Sequence, residues 1–371
     1  MEEEFVVTPW EVSGEIDYEK LIEKFGTQRI EKEMLERIEG YAELHPMLRR
    51  NIFYSHRDFD WILDQYEAGN KFVLYTGRGP SGHTHLGHLM PWMFTKYLQD
   101  AFDVKLLFQV TDDEKFVFNG RLSLEDTRKF SYENILDIIA MGFDPEKTEI
   151  FLDTEYIKTL YKLAMKVAKR ITFSTAKAVF GFNNETNVGS IFFTSIQSAP
   201  ALLETERQGR PVPCLIPCAI DQDAHFRVTR DVAEYIGYPK PALILCKLFP
   251  SLAGSDKMSA SKPETSIFTT DAPALARKKV MEAFTGGQAT VEEQRELGGN
   301  PDICSIYQYL FYIFEEDDGE IKELSDRCRK GEILCGECKE NLAGKVGKFL
   351  KLHQVKREKA KDKIEEFMIR D

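Results

Sequence analysis

The sequence has few of the features that mark membrane or secreted proteins. No apolar run in its 371 residues approaches the roughly 18 residues of a membrane span, and the acidic start MEEEFVVTPW has no apolar core of a secretion signal. A cytoplasmic protein without a membrane partner is therefore expected. The seven cysteines are odd in number and cluster late in the chain, unlike the disulfide framework of a small secreted domain. Reduced thiols are the expected state.

The chain also lacks an overall positive charge. Its 61 Asp and Glu outnumber 49 Lys and Arg, which gives a formal net charge of -12. This argues against a protein that coats nucleic acid with a broadly basic surface. Positive charge is nevertheless concentrated between Lys345 and Lys363, on a helical pattern with an apolar face. Either a solvated helix face or a contact with an RNA backbone fits this stretch.

The chain does contain a strand, a glycine-rich turn and a helix in residues 72–101. The apolar run from Phe72 to Tyr75 suits a buried strand, and the glycines between residues 77 and 82 let the backbone turn tightly. The sequence His85-Leu86-Gly87-His88 then begins a helix, whose unpaired N–H groups favour an anion; Pro91 is expected in its first turn. The stretch predicts a phosphate-binding unit.

Two interpretations of this unit compete. The sequence Gly77-Arg78-Gly79-Pro80-Ser81-Gly82 also matches the dinucleotide fingerprint. That fingerprint needs an acid at the end of the second strand, about twenty residues on, but the strand KLLFQV ends at Val110 and Asp112 comes thirty-five residues after Gly77. A second motif, Lys257-Met258-Ser259-Ala260-Ser261, favours the other interpretation. Together, His-x-Gly-His and Lys-Met-Ser-x-Ser resemble the two ATP motifs of class I aminoacyl-tRNA synthetases.

Further buried strands are expected at KLLFQV, TEIFLD, CLIPCAI and PALILC, separated by helices. This alternation predicts an α/β fold with a Rossmann-like doubly wound parallel sheet, whose carboxyl ends carry the site. Helices are expected from Tyr18 to Glu43 and from Leu124 to Met141. The expected domains are an N-terminal appendage (1–70), a catalytic domain with a helical insertion (71–269) and a C-terminal α-helical domain (270–371).

The whole chain resembles the tryptophanyl-tRNA synthetases of the archaeal and eukaryotic type. The likeness rests on TPWEV, FYSHRD, YTGRGPSG, TDDEK, AIDQD and KMSAS. It implies activation of L-tryptophan by ATP with Mg²⁺, release of pyrophosphate, and transfer of tryptophan to tRNA(Trp). It also implies a homodimer and an anticodon-binding role for the helical domain, with Lys356, Arg357 and Lys359 as candidate tRNA contacts.

The resemblance carries roles to individual residues of the ATP site. The two histidines donate hydrogen bonds to phosphate oxygens, Gly87 lets adenine approach, and Lys257 closes over the phosphates. The implied catalytic residues are His85, His88, Lys257, Ser259 and Lys115. The implied ATP-binding residues are Arg78, Gly79, His85, Gly87, His88, Ile216, Lys257, Met258, Ser259 and Ser261.

The tryptophan site follows from the same resemblance. Tyr75 and Gln109 accept the indole N–H, a contact that rejects side chains lacking this donor. The α-ammonium is held by Glu114, Gln197 and Gln222. Thr111 and Phe226 complete the pocket wall, and Ile216 and Cys218 line either this pocket or the adenine site.

The sequence departs from the family pattern at two places. Ala260 stands where the general class I loop has a second lysine, so phosphate contact falls on Lys257, with help from Lys115, Arg78 or Lys262. Relatives carry Pro-Tyr where this chain has Ala224-His225, which alters the local wall.

No metal site is predicted from the side chains. The histidines of His-x-His-x-x-His at 83–88 have no acidic or thiol partner nearby in sequence. Cys328, Cys335 and Cys338 supply only three ligands, so inert thiols are preferred to zinc unless a fourth ligand comes from elsewhere. The rival functions are a tyrosyl-tRNA synthetase, a small adenylyltransferase and a catalytically idle tRNA-binding module.

Overall fold

The computed structural model describes residues 6–7, 12–13 and 16–371, without the side chains of residues 6, 7, 12, 13, 255 and 256. The TPWEV motif therefore lies mostly outside the described residues. The strands are β1 (Val6–Val7), β2 (Val12–Ser13), β3 (Gln28–Arg29), β4 (Phe53–Arg57), β5 (Val73–Arg78), β6 (Lys105–Val110), β7 (Thr148–Leu152), β8 (Cys214–Ala219), β9 (Ala242–Cys246), β10 (Pro250–Ser251) and β11 (Gly254–Lys257).

The expected α/β fold is confirmed by a seven-stranded sheet with the order β3-β4-β9-β8-β5-β6-β7. The five strands from β9 to β7 are parallel, whereas β4 pairs antiparallel with β9 and β3 antiparallel with β4. The chain runs outward from β5 through β6 to β7 and then returns to β8 on the other side. The topological switch therefore lies between β5 and β8, where doubly wound sheets bind their ligands.

Helices cover both faces of this sheet and form the two ends of the chain. The N-terminal helices are α1 (Tyr18–Phe25), α2 (Lys32–Glu39), α3 (Pro46–Arg49) and α4 (Phe59–Glu67). Within the sheet region they are α5 (Leu86–Phe102), α6 (Asp112–Phe118), α7 (Leu124–Ala140), α8 (Ile157–Ala168), α9 (Phe173–Phe180), α10 (Val188–Ile196), α11 (Pro200–Gln208) and α12 (Asp223–Tyr235). The C-terminal helices are α13 (Pro273–Glu282), α14 (Val291–Leu297), α15 (Ser305–Tyr309), α16 (Asp318–Arg329), α17 (Cys335–Ala360) and α18 (Ile364–Phe367).

Two local expectations were wrong. The helical pattern from Tyr18 to Glu43 is two helices, because Gly26 adopts a left-handed conformation (φ 63) that ends α1, and β3 follows. Pro91 lies beyond the first turn of α5, so its ring interrupts the helical hydrogen bonding inside the helix. The expected helix from Leu124 is confirmed and ends one residue earlier than predicted.

Alternate residues of each central strand face different helical layers. Leu74 belongs to one apolar cluster and Tyr75 to the other, as expected for a parallel sheet covered on both faces. The first cluster also contains Met47 from the N-terminal part and Val346 from α17. The three expected domains thus share one continuous core, and their division stays a prediction about roles in function.

An ion network fixes α17 against α7. The His353 ring lies 2.8 Å from Asp137, and Arg357 donates to Glu133 (2.9 Å) and also to Asp137. Asp137 is almost fully buried, so its negative charge depends on these two partners. The last long helix is therefore oriented by charge as well as by apolar packing.

Candidate active site

The candidate site lies at the carboxyl ends of β5, β6 and β8, beside the topological switch. Residues 79–85 turn from β5 into α5, and β11 leads into the Lys-Met-Ser-Ala-Ser loop. The N–H of Leu86 donates to the carbonyl of Ile267 (3.1 Å), and Thr269 N–H donates to the carbonyl of Thr84 (3.0 Å). The segment that follows the Lys-Met-Ser-Ala-Ser loop is thus joined to the start of α5, although 169 residues separate His88 from Lys257.

Gly87 and Met258 form a direct contact between the two ATP motifs. The N–H of Gly87 approaches Met258 Sδ at 3.4 Å. A Cβ atom on Gly87 would lie 3.2 Å from the His85 ring and 3.5 Å from Met258 Cβ. The absence of a side chain at Gly87 therefore keeps the histidine and the loop close together.

His85 and His88 form the start of α5. Their rings stack at 3.5 Å between centroids, and the N–H of His85 donates to His88 Nδ1 (3.2 Å). Burial, with the charges of Arg78 and Lys257, lowers the pKa of His85 to about 3. Burial and Arg78 also hold the pKa of His88 well below its ordinary value. Both imidazoles are therefore neutral hydrogen-bonding groups at physiological pH, and His85 Nδ1 is buried without a hydrogen-bond partner.

Three cations surround these histidines. Lys257 pairs with Asp221 at 3.1 Å, and Lys115 pairs with Glu114 at 2.5 Å. Arg78 donates to Asn134 Oδ1 (2.7 Å) and to the carbonyl of Gly79 (2.5 Å). Burial lowers the pKa of Arg78 to about 10, so its guanidinium remains protonated. Such a group of cations suits a polyphosphate.

Tyr75, Gln109 and Gln197 form a buried polar chain at the other end of the site. The Tyr75 hydroxyl donates to Gln109 Oε1 (2.5 Å) and accepts from Gln197 Nε2 (2.8 Å). Gln109 Nε2 donates to both carboxyl oxygens of Asp153, at 2.8 and 2.9 Å. Asp153 therefore fixes the Gln109 amide with its oxygen towards Tyr75. The ring of Phe226 meets Tyr75 edge-on, with 5.8 Å between centroids.

Asp153 belongs to an acidic pair that holds a proton. Burial, together with the neighbouring carboxyl of Asp113, raises the pKa of Asp153 well above its ordinary value. Burial likewise raises the pKa of Asp113, whose carboxyl is hydrogen-bonded to Asp153. Two adjacent buried carboxyls cannot both ionise at low cost. A neutral Asp153 still accepts the hydrogen bond from Gln109.

Glu114 remains ionised a short distance along the chain. Burial would raise its pKa, but the charge of Lys115 and hydrogen bonds from Lys115 and Thr111 hold it below the ordinary value. The Thr111 hydroxyl donates to Glu114 Oε2 at 2.6 Å. A Cβ atom on Gly79 would lie 2.6 Å from the same oxygen and would overlap Lys115. Gly79 therefore lets the turn pass directly over this ion pair.

Comparisons with known proteins agree with this geometry. A family model described as tRNA synthetases class I (W and Y) matches residues 67–351. This chain belongs to that family. The tryptophan–tRNA ligase of Pyrococcus furiosus is 53% identical over 371 residues, covering 99% of this chain and 94% of its own. That of Pyrobaculum calidifontis is 50% identical over 370 residues, covering 100% and 99%.

A solved structure, the tryptophanyl-tRNA synthetase of Giardia lamblia, is 40% identical and superposes with a TM-score of 0.89, covering 95% of this chain and 96% of that chain. The resemblance to the tryptophanyl-tRNA synthetases stated from the sequence is confirmed. The individual roles of the site residues stay predictions.

Several of the residues predicted for the site contact one another. Gln222 Nε2 is 3.4 Å from Asp221, the partner of Lys257, and the Ser259 and Ser261 hydroxyls are 2.9 Å apart on the loop. Ile216 and Cys218 on β8 share the apolar cluster of Tyr75. Contacts link Tyr75 to Gln109, Gln197 and Phe226, Glu114 to Thr111 and Lys115, Gly87 to Met258, and His85 to His88. The roles of the predicted site residues stay predictions: Tyr75, Arg78, Gly79, His85, Gly87, His88, Gln109, Thr111, Glu114, Lys115, Gln197, Ile216, Cys218, Gln222, Phe226, Lys257, Met258, Ser259 and Ser261.

Arg357 does not fit its predicted role. Its guanidinium is held by Glu133 and Asp137 on α7 and is only 11% exposed, so it is not available to an RNA backbone. Lys356 and Lys359 are exposed on the same helix. We therefore remove Arg357 from the RNA-binding prediction.

Sequence reasoning missed the residues that support the site from behind. Asp153 orients Gln109, Asp221 pairs with Lys257, and Asn134 holds Arg78. Asp153 carries a signal that could have found it, because it directly follows β7 at the ligand-facing edge of the sheet. Arg57 in FYSHRD, for which no chemistry was derived, binds the buried Asp223 (2.7 Å), so this stretch is an ordered junction.

The described part of the chain contains no group of three or more His, Cys, Asp or Glu side chains arranged to hold a single metal ion. The protein therefore provides no all-protein cage for Mg²⁺ in these residues. An ion that binds mainly through nucleotide phosphates needs no such cage.

Proposed function

We propose that the chain is a tryptophan–tRNA ligase. It activates L-tryptophan with ATP to tryptophanyl-adenylate and then transfers the tryptophanyl group to tRNA(Trp). The observation that carries this proposal is the joining of two structures at one sheet edge. One is a cationic, histidine-lined turn suited to phosphates, and the other is a buried chain of hydrogen bonds suited to a single apolar side chain with one N–H.

The first step needs positioning and charge neutralisation. A carboxylate oxygen of tryptophan bonds to the α-phosphorus of ATP while the bond to the pyrophosphate oxygen breaks, and pyrophosphate leaves with the electron pair. The neutral rings of His85 and His88 donate hydrogen bonds to phosphoryl oxygens. Lys257, at the end of β11, meets the charge that grows on pyrophosphate.

The indole is recognised by acceptors with a fixed orientation. Gln109 Oε1 takes one hydrogen bond from Tyr75 and keeps a second lone pair for the indole N–H. Tyr75 Oη is the second acceptor. Glu114, Gln197 and Gln222 hold the α-ammonium, for which Glu114 exchanges part of its contact with Lys115. A substrate without an N–H at this position leaves buried acceptors unpaired.

Mg²⁺ enters the reaction as part of the MgATP substrate. When bound, the ion neutralises charge on the β- and γ-phosphates. The carboxylates of Asp221 and Glu114 already pair with lysines, so they orient cations around the nucleotide instead of forming a metal cage. Lys115 and Arg78 contact the phosphates together with Lys257, because the loop motif has Ala260 in place of a second lysine.

The helical region 270–371 binds the anticodon part of tRNA, with Lys356 and Lys359 as backbone contacts. The enzyme works as a homodimer in the cytoplasm; exposed apolar side chains on the insertion helices, such as Tyr161 and Met165, support a self-contact there. Among the described helices, none is long and apolar enough to cross a membrane.

The activity is tested by ATP–pyrophosphate exchange with tryptophan and, separately, with tyrosine. Exchange that depends on tryptophan and not on tyrosine is expected. Exchange only with tyrosine would identify a tyrosyl-tRNA synthetase, and no exchange with either amino acid would favour an idle RNA-binding module. Exchange with neither, but adenylyl transfer to another small acceptor, would indicate the adenylyltransferase alternative.

The RNA contact is tested with Lys356→Ala and Lys359→Ala combined. Loss of two phosphate contacts should weaken tRNA binding at moderate salt and reduce the salt dependence of binding by about two units of slope. Pyrophosphate exchange should stay unchanged. Lys20→Ala with Lys32→Ala removes the same charge from the N-terminal part and serves as control. An equal effect of both double variants would contradict a specific RNA contact.

A further inference from the structure

Lys279 in α13 is a buried lysine beside the segment that follows the Lys-Met-Ser-Ala-Ser loop. Only 8% of this residue is exposed. Its ammonium donates to Asp271 Oδ2 (2.6 Å) and to the carbonyl of Ser266 (2.8 Å), and Nζ lies 5.1 Å from the centre of the Phe268 ring. Lysines are almost never buried unless they are paired, because loss of water around the charge is costly. These contacts offset that cost.

The contacts of Lys279 all fall on residues 266–271, which we call the return segment. Within it, the N–H of Phe268 donates to Asp271 Oδ2 (3.0 Å), and the N–H of Asp271 donates to the carbonyl of Phe268 (3.0 Å). Asp271 therefore closes a tight turn, and Lys279 binds the same carboxyl oxygen that closes it. The lysine fixes both the conformation of the turn and its place against α13.

The return segment holds the start of α5. The backbone of Phe268 pairs with that of His85 as an isolated antiparallel bridge, and their rings meet edge-on with 6.1 Å between centroids. The Thr269 hydroxyl also donates to the carbonyl of Thr84 at 3.2 Å. The histidine that is proposed to contact phosphate is therefore placed against a segment that Lys279 fixes.

The same segment holds the Lys-Met-Ser-Ala-Ser loop. The hydroxyl of the buried Ser266 donates to the carbonyl of Ser259 at 2.8 Å. Because Lys279 donates to the carbonyl of Ser266, two hydrogen bonds lead from the ammonium through one residue to the loop. Both ATP motifs are thus bonded to one short segment, and that segment is bonded to Lys279.

A side chain from α17 holds the return segment as well. Gln354 Nε2 donates to the carbonyls of Thr269 and Asp271, both at 2.9 Å. Val280 of α13 and Val346 of α17 belong to one apolar cluster, so the two helices form a common support. The segment is therefore restrained by an amide from one helix and by an ammonium from the other.

We propose that Lys279 is a positioning residue for ATP, which holds the return segment so that His85 and the Lys-Met-Ser-Ala-Ser loop face one nucleotide at a fixed separation. The inference rests on the proposed activation of tryptophan with ATP. Lys257 acts on phosphate through its charge, whereas the ammonium of Lys279 is buried on Asp271 and acts through distance. A displacement of about 1 Å around a reacting group can cost about a hundredfold in rate.

The test measures ATP and tryptophan separately in tryptophan-dependent pyrophosphate exchange. Lys279→Met keeps a long unbranched side chain but removes the ammonium, which leaves the Asp271 carboxylate buried without its cation. We expect kcat/KM for ATP to fall about tenfold. The rate is expressed per tryptophan-binding site, counted by isothermal titration, and the Kd for tryptophan should stay near the wild-type value.

The count of binding sites separates positioning from a purely structural role. A lysine that only stabilised the fold would change the melting temperature and the number of tryptophan-binding sites, but kcat/KM for ATP per site would stay constant. That result would overturn the inference. Lys278→Met is the matched control, because the neighbouring Lys278 side chain is 70% exposed on the same helix. An equal loss in Lys278→Met would also overturn it.

Ser266→Ala tests the same connection with a smaller change. It removes the hydrogen bond to the Ser259 carbonyl and keeps the carbonyl that Lys279 binds. Loss of this bond should lower kcat/KM for ATP about fivefold, with the affinity for tryptophan unchanged. Wild-type kinetics in Ser266→Ala would overturn the inference even if Lys279→Met does not fold.

The wild-type protein distinguishes failure of this inference from failure of the proposed function. Absence of exchange in the wild type would overturn the proposed function and this inference with it. Exchange by the wild type, together with wild-type kinetics per site in Lys279→Met and Ser266→Ala, would overturn this inference alone.

Discussion

The proposed indole end and the proposed phosphate end of the site differ in how their polar atoms are bonded. At the indole end, Tyr75 and Gln109 are fully buried, and their polar atoms are bonded to each other, to Gln197 and to Asp153. At the phosphate end, polar atoms are left with spare capacity. His85 Nδ1 and Arg78 Nη2 are buried without a hydrogen-bond partner, and the Lys257 side chain is 33% exposed.

The difference fits what each end is proposed to recognise. A single N–H on an apolar ring is distinguished only if its acceptor cannot turn to find another donor, so the acceptor must be held from behind. A polyphosphate presents many oxygens, and its charge changes during the reaction. Groups that stabilise that change must be available when it occurs, and a loop lysine with a weak ion pair meets this need.

The largest effect is expected from removal of the loop cation. Lys257→Ala should lower kcat for tryptophan-dependent exchange roughly a hundredfold, about 3 kcal/mol, because Ala260 leaves no second lysine in the motif. KM for ATP and tryptophan should change far less, since the contact forms mainly in the transition state. Steady-state exchange kinetics measure both quantities.

Lys262→Ala is the matched control, because it removes a lysine from the same loop outside the motif. A mild effect at Lys257 with a severe one at Lys262 or Lys115 would assign the role to another lysine. The phosphate end would then depend on a group whose position the family motif does not indicate.

The second-largest effect concerns how the free energy of unfolding changes with acidification. The change has opposite signs for His85 and for Asp153. His85 has a folded-state pKa of about 3. The stability that comes from burying a neutral His85 is therefore fully present above the ordinary histidine pKa of about 6.5. It is lost as the pH falls towards 3. Between pH 6.5 and 5 this amounts to about 2 kcal/mol of unfolding free energy. The raised pKa of Asp153 acts oppositely, because acid relieves the cost of its buried charge.

Urea unfolding of the ligand-free protein at pH 6.5 and pH 5 measures this contribution. His85→Asn should lose less stability on acidification than the wild type. His83→Asn changes an exposed histidine of the same turn and should behave like the wild type. An equal acid sensitivity of the wild type and His85→Asn would show that the His85 ring is not kept neutral by burial.

The sequence predicted the phosphate end better than the indole end, for a physical reason. Strand, turn and helix are local structures, so His85, Gly87 and the nearby glycines could be placed from spacing alone. The Lys-Met-Ser-Ala-Ser loop and the parallel sheet were likewise predicted from short sequence patterns. The contact of Gly87 with Met258 is consistent with two motifs that bind one nucleotide.

The indole end depends on pairs that no local pattern encodes. Asp153 reaches Gln109 across adjacent strands, and the distance in sequence gives no hint of it. The role of Arg357 was misjudged for the same reason, because a cation on a basic helix looks like an RNA contact until its buried partner Asp137 is known. Polar contacts between residues far apart in the sequence were therefore not predicted.

Removal of the Asp153 carboxyl, which orients Gln109, should affect the proposed indole end and not the proposed phosphate end. Asp153→Ala leaves Gln109 Nε2 buried without an acceptor, so the amide loses its fixed orientation and KM for tryptophan should rise about tenfold. ATP kinetics should change little. Asp153→Asn keeps a neutral acceptor and should restore most of the affinity, because the raised pKa of Asp153 already favours its neutral form. Similar losses in both variants would indicate a packing role for Asp153.

The smallest effect is expected where a single neutral hydrogen bond is lost. Gln109→Ala removes one acceptor of the indole N–H, which should weaken tryptophan use by about 0.5–1.5 kcal/mol, while ATP binding stays near normal. Isothermal titration with tryptophan and with ATP separates the two. Because Tyr75 donates to Gln109 Oε1, the variant also frees the Tyr75 hydroxyl, which can then turn towards the indole and recover part of the loss. Equal loss of affinity for tryptophan and for ATP would mean that Gln109 supports the site as a whole. It would contradict the proposal that Gln109 selects the indole while the other end stabilises phosphate charge.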